Sequence, residues 1–175
     1  RNFFQQWDAW WFGRVPPHAQ AILRIGFAFY LLVEAATYLP FVPAMFSDHA
    51  LTYSAWSHLM PAQLQPLLDP PPVSVAWAIA SLYVLACIGF LLGFGMRFWL
   101  CVLLLLNLYY WQVSFFLFPS SYHRIYFVVQ SLFLVSGADR TFSLRMLRTH
   151  GSFYAWELVS VFPQRLLAVQ MTVTY

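Results

Sequence analysis

Lysine is missing from this 175-residue chain: all nine of its cations are arginine, set against six acidic residues. Charge of either sign is scarce, at 9% of residues, where a soluble domain carries about a quarter. That shortage excludes a water-soluble globule. The soluble catalytic signatures are missing too: there is no P-loop, no GxGxxG, no GxSxG and no HExxH. Cys87 and Cys101 form no CxxC and have no flanking histidines, so both read as small apolar residues buried within hydrophobic runs. His49 and His58 with Asp48 show no recurring ligand spacing, and no metal site is expected. The arginines are scattered, so the net charge of +3 is no nucleic-acid footprint.

What is present is apolar and aromatic. Hydrophobic residues make up 61% of the chain and Phe, Trp and Tyr 21%, which excludes disorder. The fold class expected is an all-α integral membrane protein: a polytopic helical bundle with four full transmembrane helices, a fifth begun, and an N-terminal interfacial amphipathic helix. A span needs about 20 apolar residues. The stretches 17–39, 73–96, 98–118 and 123–137 are the four candidates, with 163–175 the start of a fifth. Pro40 closes the first, Pro70, Pro71 and Pro72 lead into the second, and Gly95, Met96 and Arg97 turn it into the third. The chain opens at Arg1 with no charged-then-apolar leader, so no signal peptide is expected. It stops inside an apolar segment, from which a longer encoded protein is expected.

Residues 1–13 form the interfacial segment. Phe3, Phe4, Trp7, Trp10 and Trp11 recur at helical spacing while Gln5, Gln6 and Asp8 take the other face, the pattern of a helix lying at headgroup level. Trp7, Trp10 and Trp11 are the expected membrane anchors. Arginine placement sets the orientation. With the N-terminus cytoplasmic, Arg1, Arg14, Arg97, Arg140, Arg145, Arg148 and Arg165 share one side, Arg124 lies on the other, and Arg24 falls within the first span. The loop 41–72, with Asp48, His49, His58 and Asp69, then faces outward.

Polar groups inside apolar spans are costly and need a partner or a purpose. Arg24 and Glu34 stand ten positions apart, about 15 Å along one helix, and cannot pair with each other. Arg24 is placed to snorkel toward the inner end; Glu34 either faces a polar cavity or is capped by a tyrosine. Asn107, Tyr110 and Ser114 form one stripe on the third span, and His123, Tyr126 and Gln130 another on the fourth. On consecutive antiparallel helices the two stripes face each other, either as hydrogen-bond glue or as the lining of a ligand pocket. Those six residues and Glu34 are the pocket candidates. No catalytic residue is assigned. Gly89 and Gly93 make a GxxxG, which permits close helix approach.

Read in order, several segments resemble the HTTM family, the membrane module shared with vitamin K-dependent gamma-carboxylases. Ile22-Leu23-Arg24-Ile25-Gly26-Phe27 is similar to the opening of that module's first helix, with Glu34 where an acidic residue is common. Leu91-Leu92-Gly93-Phe94-Gly95-Met96-Arg97 resembles the turn between its second and third helices, and Tyr122-His123-Arg124-Ile125-Tyr126 the start of its fourth. Asp139-Arg140-Thr141-Phe142-Ser143-Leu144 resembles a Ser-Leu-Asp segment, with Arg145 in place of the family's aspartate. Leu166-Leu167-Ala168-Val169-Gln170 with Tyr175 resembles a later helix. The resemblance implies one HTTM-like domain over 1–175 and makes His123 the one position to carry over as a possible active-site residue. It places the carboxylase base, a lysine, just beyond Tyr175. If the chain ends there, carboxylation is not expected of it.

The function expected is that of a non-catalytic accessory or structural subunit of a larger membrane complex, of the photosynthetic reaction-centre, light-harvesting or respiratory kind. The alternative is a membrane enzyme of the carboxylase-like or quinone-linked class. Expected partners are the lipid bilayer and other membrane subunits, with no nucleic acid. No cofactor is identified; contact with quinone, haem or chlorin pigment fits the aromatic surface. The location expected is a bacterial inner membrane.

Overall fold

The computed structural model describes residues 2–50, 69–113 and 121–174, with the side chains of 112–113, 121–124, 171 and 173–174 left out. The chain is built mainly from helices. The aromatic segment folds as α1, Phe3–Phe12, followed by a two-residue strand β1, Arg14–Val15. Helix α2, His18–Tyr38, runs through a single 3-10 turn, Leu39–Phe41, into α3, Val42–Phe46. Next come α4, Val73–Leu92; α5, Met96–Val113; α6, Ser121–Val135; α7, Leu144–His150; strand β2, Val159–Ser160; and α8, Phe162–Thr174.

Among the described residues, two helical stretches are long and apolar enough to cross a membrane: the continuous run His18–Phe46 of 29 residues and Val73–Leu92 of 20. That is fewer than the four full spans expected. The third candidate, 98–118, is helical through α5, of which Met96–Trp111 is an apolar helix shorter than a full span among the described side chains; 114–120 fall outside the described residues. The fourth, 123–137, is the short α6, whose apolar part is Ile125–Val135. The fifth corresponds to α8, 13 residues carrying Gln164, Arg165 and Gln170.

Boundaries follow local chemistry. Pro40 does not end the first helical run; it sits in the first turn of the 3-10 segment, as Pro43 does in α3. A proline there loses no hydrogen bond, because the first-turn N–H groups have no intrahelical acceptor. Helix α4 starts directly after Pro72 and ends at Leu92, capped by Gly93 and four residues short of the expected bound. Gly93 adopts the left-handed conformation, φ 66°, that closes a helix without steric cost only in glycine. On α7, the Ser143 hydroxyl accepts from the Met146 N–H at 3.2 Å, while Arg148 and His150 occupy the last turn. Both ends of that short helix are thereby satisfied.

Helix α2 packs on α4, α4 on α5 and on α3, and α5 on α6; α8 lies against α6 and touches α1. The core between them holds Ala28, Leu31, Ala80, Ala86, Phe90, Leu100, Leu103 and Phe133. Alanines and Gly89 let α4 approach its neighbours closely. A Cβ on Gly89 would overlap the indole of Trp99 on α5, so the GxxxG serves packing within the chain. Outward faces stay apolar, with Ile22, Phe29, Val33, Leu85, Ile88, Phe98 and Leu105 exposed. Cys87 is buried as expected, but Cys101 lies on the exposed face of α5.

One end of the bundle is pinned by an antiparallel pair, Arg14 opposite Ser160 and Val15 opposite Val159. This places β1, the start of α2, the turn between α4 and α5 with the first residues of α5, the 137–143 connection, α7 and the start of α8 together. Arg14, Arg97, Arg140, Arg145, Arg148 and Arg165 all belong to those segments.

Candidate functional site

Polar side chains gather at two levels of the bundle. At the arginine-rich end, Gln20 is 2% exposed and spans two connections. Its Nε2 donates to the Ser160 carbonyl at 2.7 Å, and its Oε1 accepts from the Gly137 N–H at 3.3 Å. One turn further along, Arg24 is fully buried, and its Nη2 donates to the Phe142 carbonyl at 2.5 Å. The snorkelling expected of Arg24 is therefore corrected. Its side chain turns into the protein, because Phe142 presents a carbonyl to it from a backbone held at φ 47°. The guanidinium passes over Gly93, where a Cβ would overlap Nη1.

Asp139 lies near this cation and pairs with Arg145 at 2.5 Å, while its carbonyl accepts from the Ser143 hydroxyl at 2.6 Å. The Asp139 hydrogen bond pushes the Arg145 guanidinium above its ordinary range. A cation with a raised pKa stabilises the fold below its unfolded value and loses that contribution only as pH rises past it. Arg145 therefore stays paired throughout the neutral range. Arg145 pairs with the acid six positions earlier in the chain. These contacts make a structural latch between α2, the end of α4 and the 137–143 connection.

At the other level the sequence candidates come together. Asn107 Nδ2 on α5 donates to Gln130 Oε1 on α6 at 3.1 Å, so the two stripes do face each other. Gln130 is fully buried, and its Nε2 has no partner among the described residues. Tyr126 donates to Glu34 at 3.4 Å and also shares a hydrogen bond with Tyr30. Tyr110 packs against Phe46 and Tyr83, ring centroids 4.6 and 5.8 Å away. Ser114 lies outside the described residues, as does the side chain of His123.

Between α2, α3, α4 and α5 a cavity of about 50 Å³ opens beside Glu34. Tyr38, Tyr83, Asn107 and Tyr110 supply its other polar groups; Phe46, Leu39, Val42, Ala80 and Val84 form apolar walls. Glu34 thus meets both expectations, a cavity and a tyrosine partner. Tyr38 and Tyr83 were not singled out from sequence. Tyr83 lies on α4 with no polar neighbour at helical spacing, and only the packing of α4 on α2 and α5 turns it to the cavity. Among the described residues, no group of three or more His, Cys, Asp or Glu could hold a metal ion.

Trp7 and Trp10 are exposed, Trp11 is half-buried against Phe162, and the Arg165 guanidinium stacks over the Trp10 ring at 4.3 Å. Compared with known proteins, the chain matches no family model, no curated protein and no solved structure.

Proposed function

We propose that this chain is a non-catalytic, HTTM-like integral membrane subunit that serves a larger membrane assembly as scaffold. The observation that carries this reading is how the bundle divides its side chains. Polar groups on the apolar helices tie one segment to another: Gln20 to Ser160, Arg24 to Phe142, Tyr126 to Glu34, and Asn107 to Gln130. Outward faces of α2, α4 and α5 are left apolar, the arrangement a helix needs against lipid or another apolar helix. On this reading all of α2, α4, α5 and α6 lie in the bilayer of a bacterial inner membrane, α1 rests at its surface, and the arginine-rich end faces the cytoplasm. Respiratory or photosynthetic complexes, with quinone, haem or chlorin at the aromatic faces, are the fitting hosts.

The test is native mass spectrometry after mild solubilisation from the source membrane. A stoichiometric place among other membrane subunits is expected. Recovery of the chain always alone overturns the scaffold role. It favours instead the second reading, a carboxylase-like or quinone-linked enzyme, which the meeting of the two polar stripes at Asn107 and Gln130 supports.

A further inference from the structure

The connection that follows α7 is tied down along its length and yet presents large apolar side chains. The Phe142 N–H donates to the Phe153 carbonyl at 3.0 Å, the Glu157 N–H to the Arg140 carbonyl at 3.3 Å, and Arg140 Nη1 to the Leu158 carbonyl at 3.3 Å. Within that frame Phe153, Tyr154, Trp156 and Leu158 are all exposed, Tyr154 at 77% and Trp156 at 50%. None of the four belongs to a helix apolar enough to span a bilayer, so contact along a span does not account for them. Exposed apolar residues clustered among polar ones mark a contact surface.

Charge at this end of the bundle is one-sided. Its segments carry six arginines against two acids, Asp139 and Glu157. Both acids are taken, Asp139 by Arg145 at 2.5 Å and Glu157 by Arg140 at 3.6 Å. Among the described residues no ion pair reaches Arg14, Arg97 or Arg148, and all three are exposed. Three unpaired guanidinium groups call for an anionic partner, and their fork geometry matches phosphate oxygens.

Helix α2 sets the depth of the patch. The Trp156 ring lies 6.0 Å from the imidazole of His18, and the Phe142 ring 5.6 Å from it. His18 is the first residue of α2, the point at which a spanning α2 enters the bilayer. Trp156 and its neighbours then stand at headgroup level, where indole and phenol rings are favoured. At that depth an anionic lipid supplies both halves of a partner, phosphate for the arginines and acyl chain for the rings. We propose that α7 and the 151–158 connection form a docking surface for anionic phospholipids of the leaflet on the arginine-rich side. Tyr154, Trp156 and Leu158 enter between the lipids, and Arg14, Arg97 and Arg148 take their phosphates. This surface presupposes that α2 spans the bilayer, and it does not depend on membership of a larger assembly.

The experiment uses the full chain in nanodiscs of phosphatidylcholine, with and without phosphatidylglycerol. In a cysteine-free background, a spin label at Ser152→Cys reports on the docking surface, and one at Leu85→Cys, on the outward face of α4, reports on insertion. Collisions with dissolved oxygen and with a water-soluble nickel chelate give the depth of each label. Phosphatidylglycerol is expected to shield the label at position 152 from the chelate. An arginine near an anionic surface is worth about fivefold in partition, so Arg14→Gln combined with Arg148→Gln should weaken docking roughly twentyfold and return that label to water. Tyr154→Ser, which deletes the most exposed ring, should loosen it as well. With the label at position 85 among acyl chains, a label at 152 that stays in water in both lipids overturns the docking surface, makes a protein the partner and leaves the spanning helices standing. Shielding that ignores both phosphatidylglycerol and the arginines overturns it too. A label at 85 open to the chelate instead removes the membrane reading itself, and the docking surface with it.

Discussion

Gly93 and Arg24 illustrate how single residues are constrained here. Each looks ordinary in sequence, a glycine after an apolar helix and an arginine near a helix start. Together they are coupled, because the guanidinium occupies the space a Gly93 side chain would need. Gly93→Ala is expected to cost about 2 kcal/mol or more, from the left-handed backbone and the displaced guanidinium together. Arg24→Ala should cost about 3 kcal/mol, since it deletes the bond to the Phe142 carbonyl and leaves Asp139 without its second cation. Combined, the two should be less than additive: with Arg24 gone, only the backbone strain of Gly93→Ala remains. Thermal unfolding of the four proteins in one detergent checks this, and strict additivity would mean that the overlap is relieved elsewhere. Arg24 was legible as a buried-span cation, but its acceptor was not. A backbone carbonyl 118 positions away carries no sequence signature.

Between elements, the polar stripes read from sequence proved a sound guide to which helix faces meet. Asn107 and Gln130 join α5 to α6, and spacing alone placed both on inward faces. A double-mutant cycle over Asn107→Ala and Gln130→Ala should return about 0.6 kcal/mol of coupling, the usual value for hydrogen bonds between membrane helices. Coupling near zero would mean that the pair gives no net stability. The stripes also diverge in a way that spacing did not foretell: Tyr126 turns to α2 and Glu34, whereas Tyr110 turns to α4 and Tyr83. An i+3 step rotates a side chain by about 60° short of a full turn, enough to send neighbours on one stripe to different helices. Span length was the least legible feature. Composition counted α5 and α6 as full spans, but apolar content does not locate the residue at which a helix stops.

For the whole molecule, the gathering of six arginines in the segments at one end predicts a fixed orientation. In a cysteine-free background, Asp48→Cys should react with a membrane-impermeant maleimide on intact cells, and Arg14→Cys only after permeabilisation. The reverse labelling would invert the assigned topology. The arginine asymmetry could be counted from sequence alone. The β1–β2 pair that draws Arg14 to the start of α8 could not: two strands of two residues each lie below any pattern threshold, and their pairing is set by where α2 and α8 must end.

The sequence alone determined the all-helical class, the aromatic face of α1 and the inward positions of Glu34, Asn107, Tyr110, Tyr126 and Gln130. These follow from composition and from the 3.6-residue period, which are properties of a single helix. Tertiary structure alone decided that Arg24 turns inward to a distant carbonyl, that Gly93 must stay bare beside it, and that Tyr83 joins Glu34 around one cavity. Those outcomes depend on the relative rotation and depth of packed helices, and no local stretch of sequence encodes where a neighbour's atoms will lie.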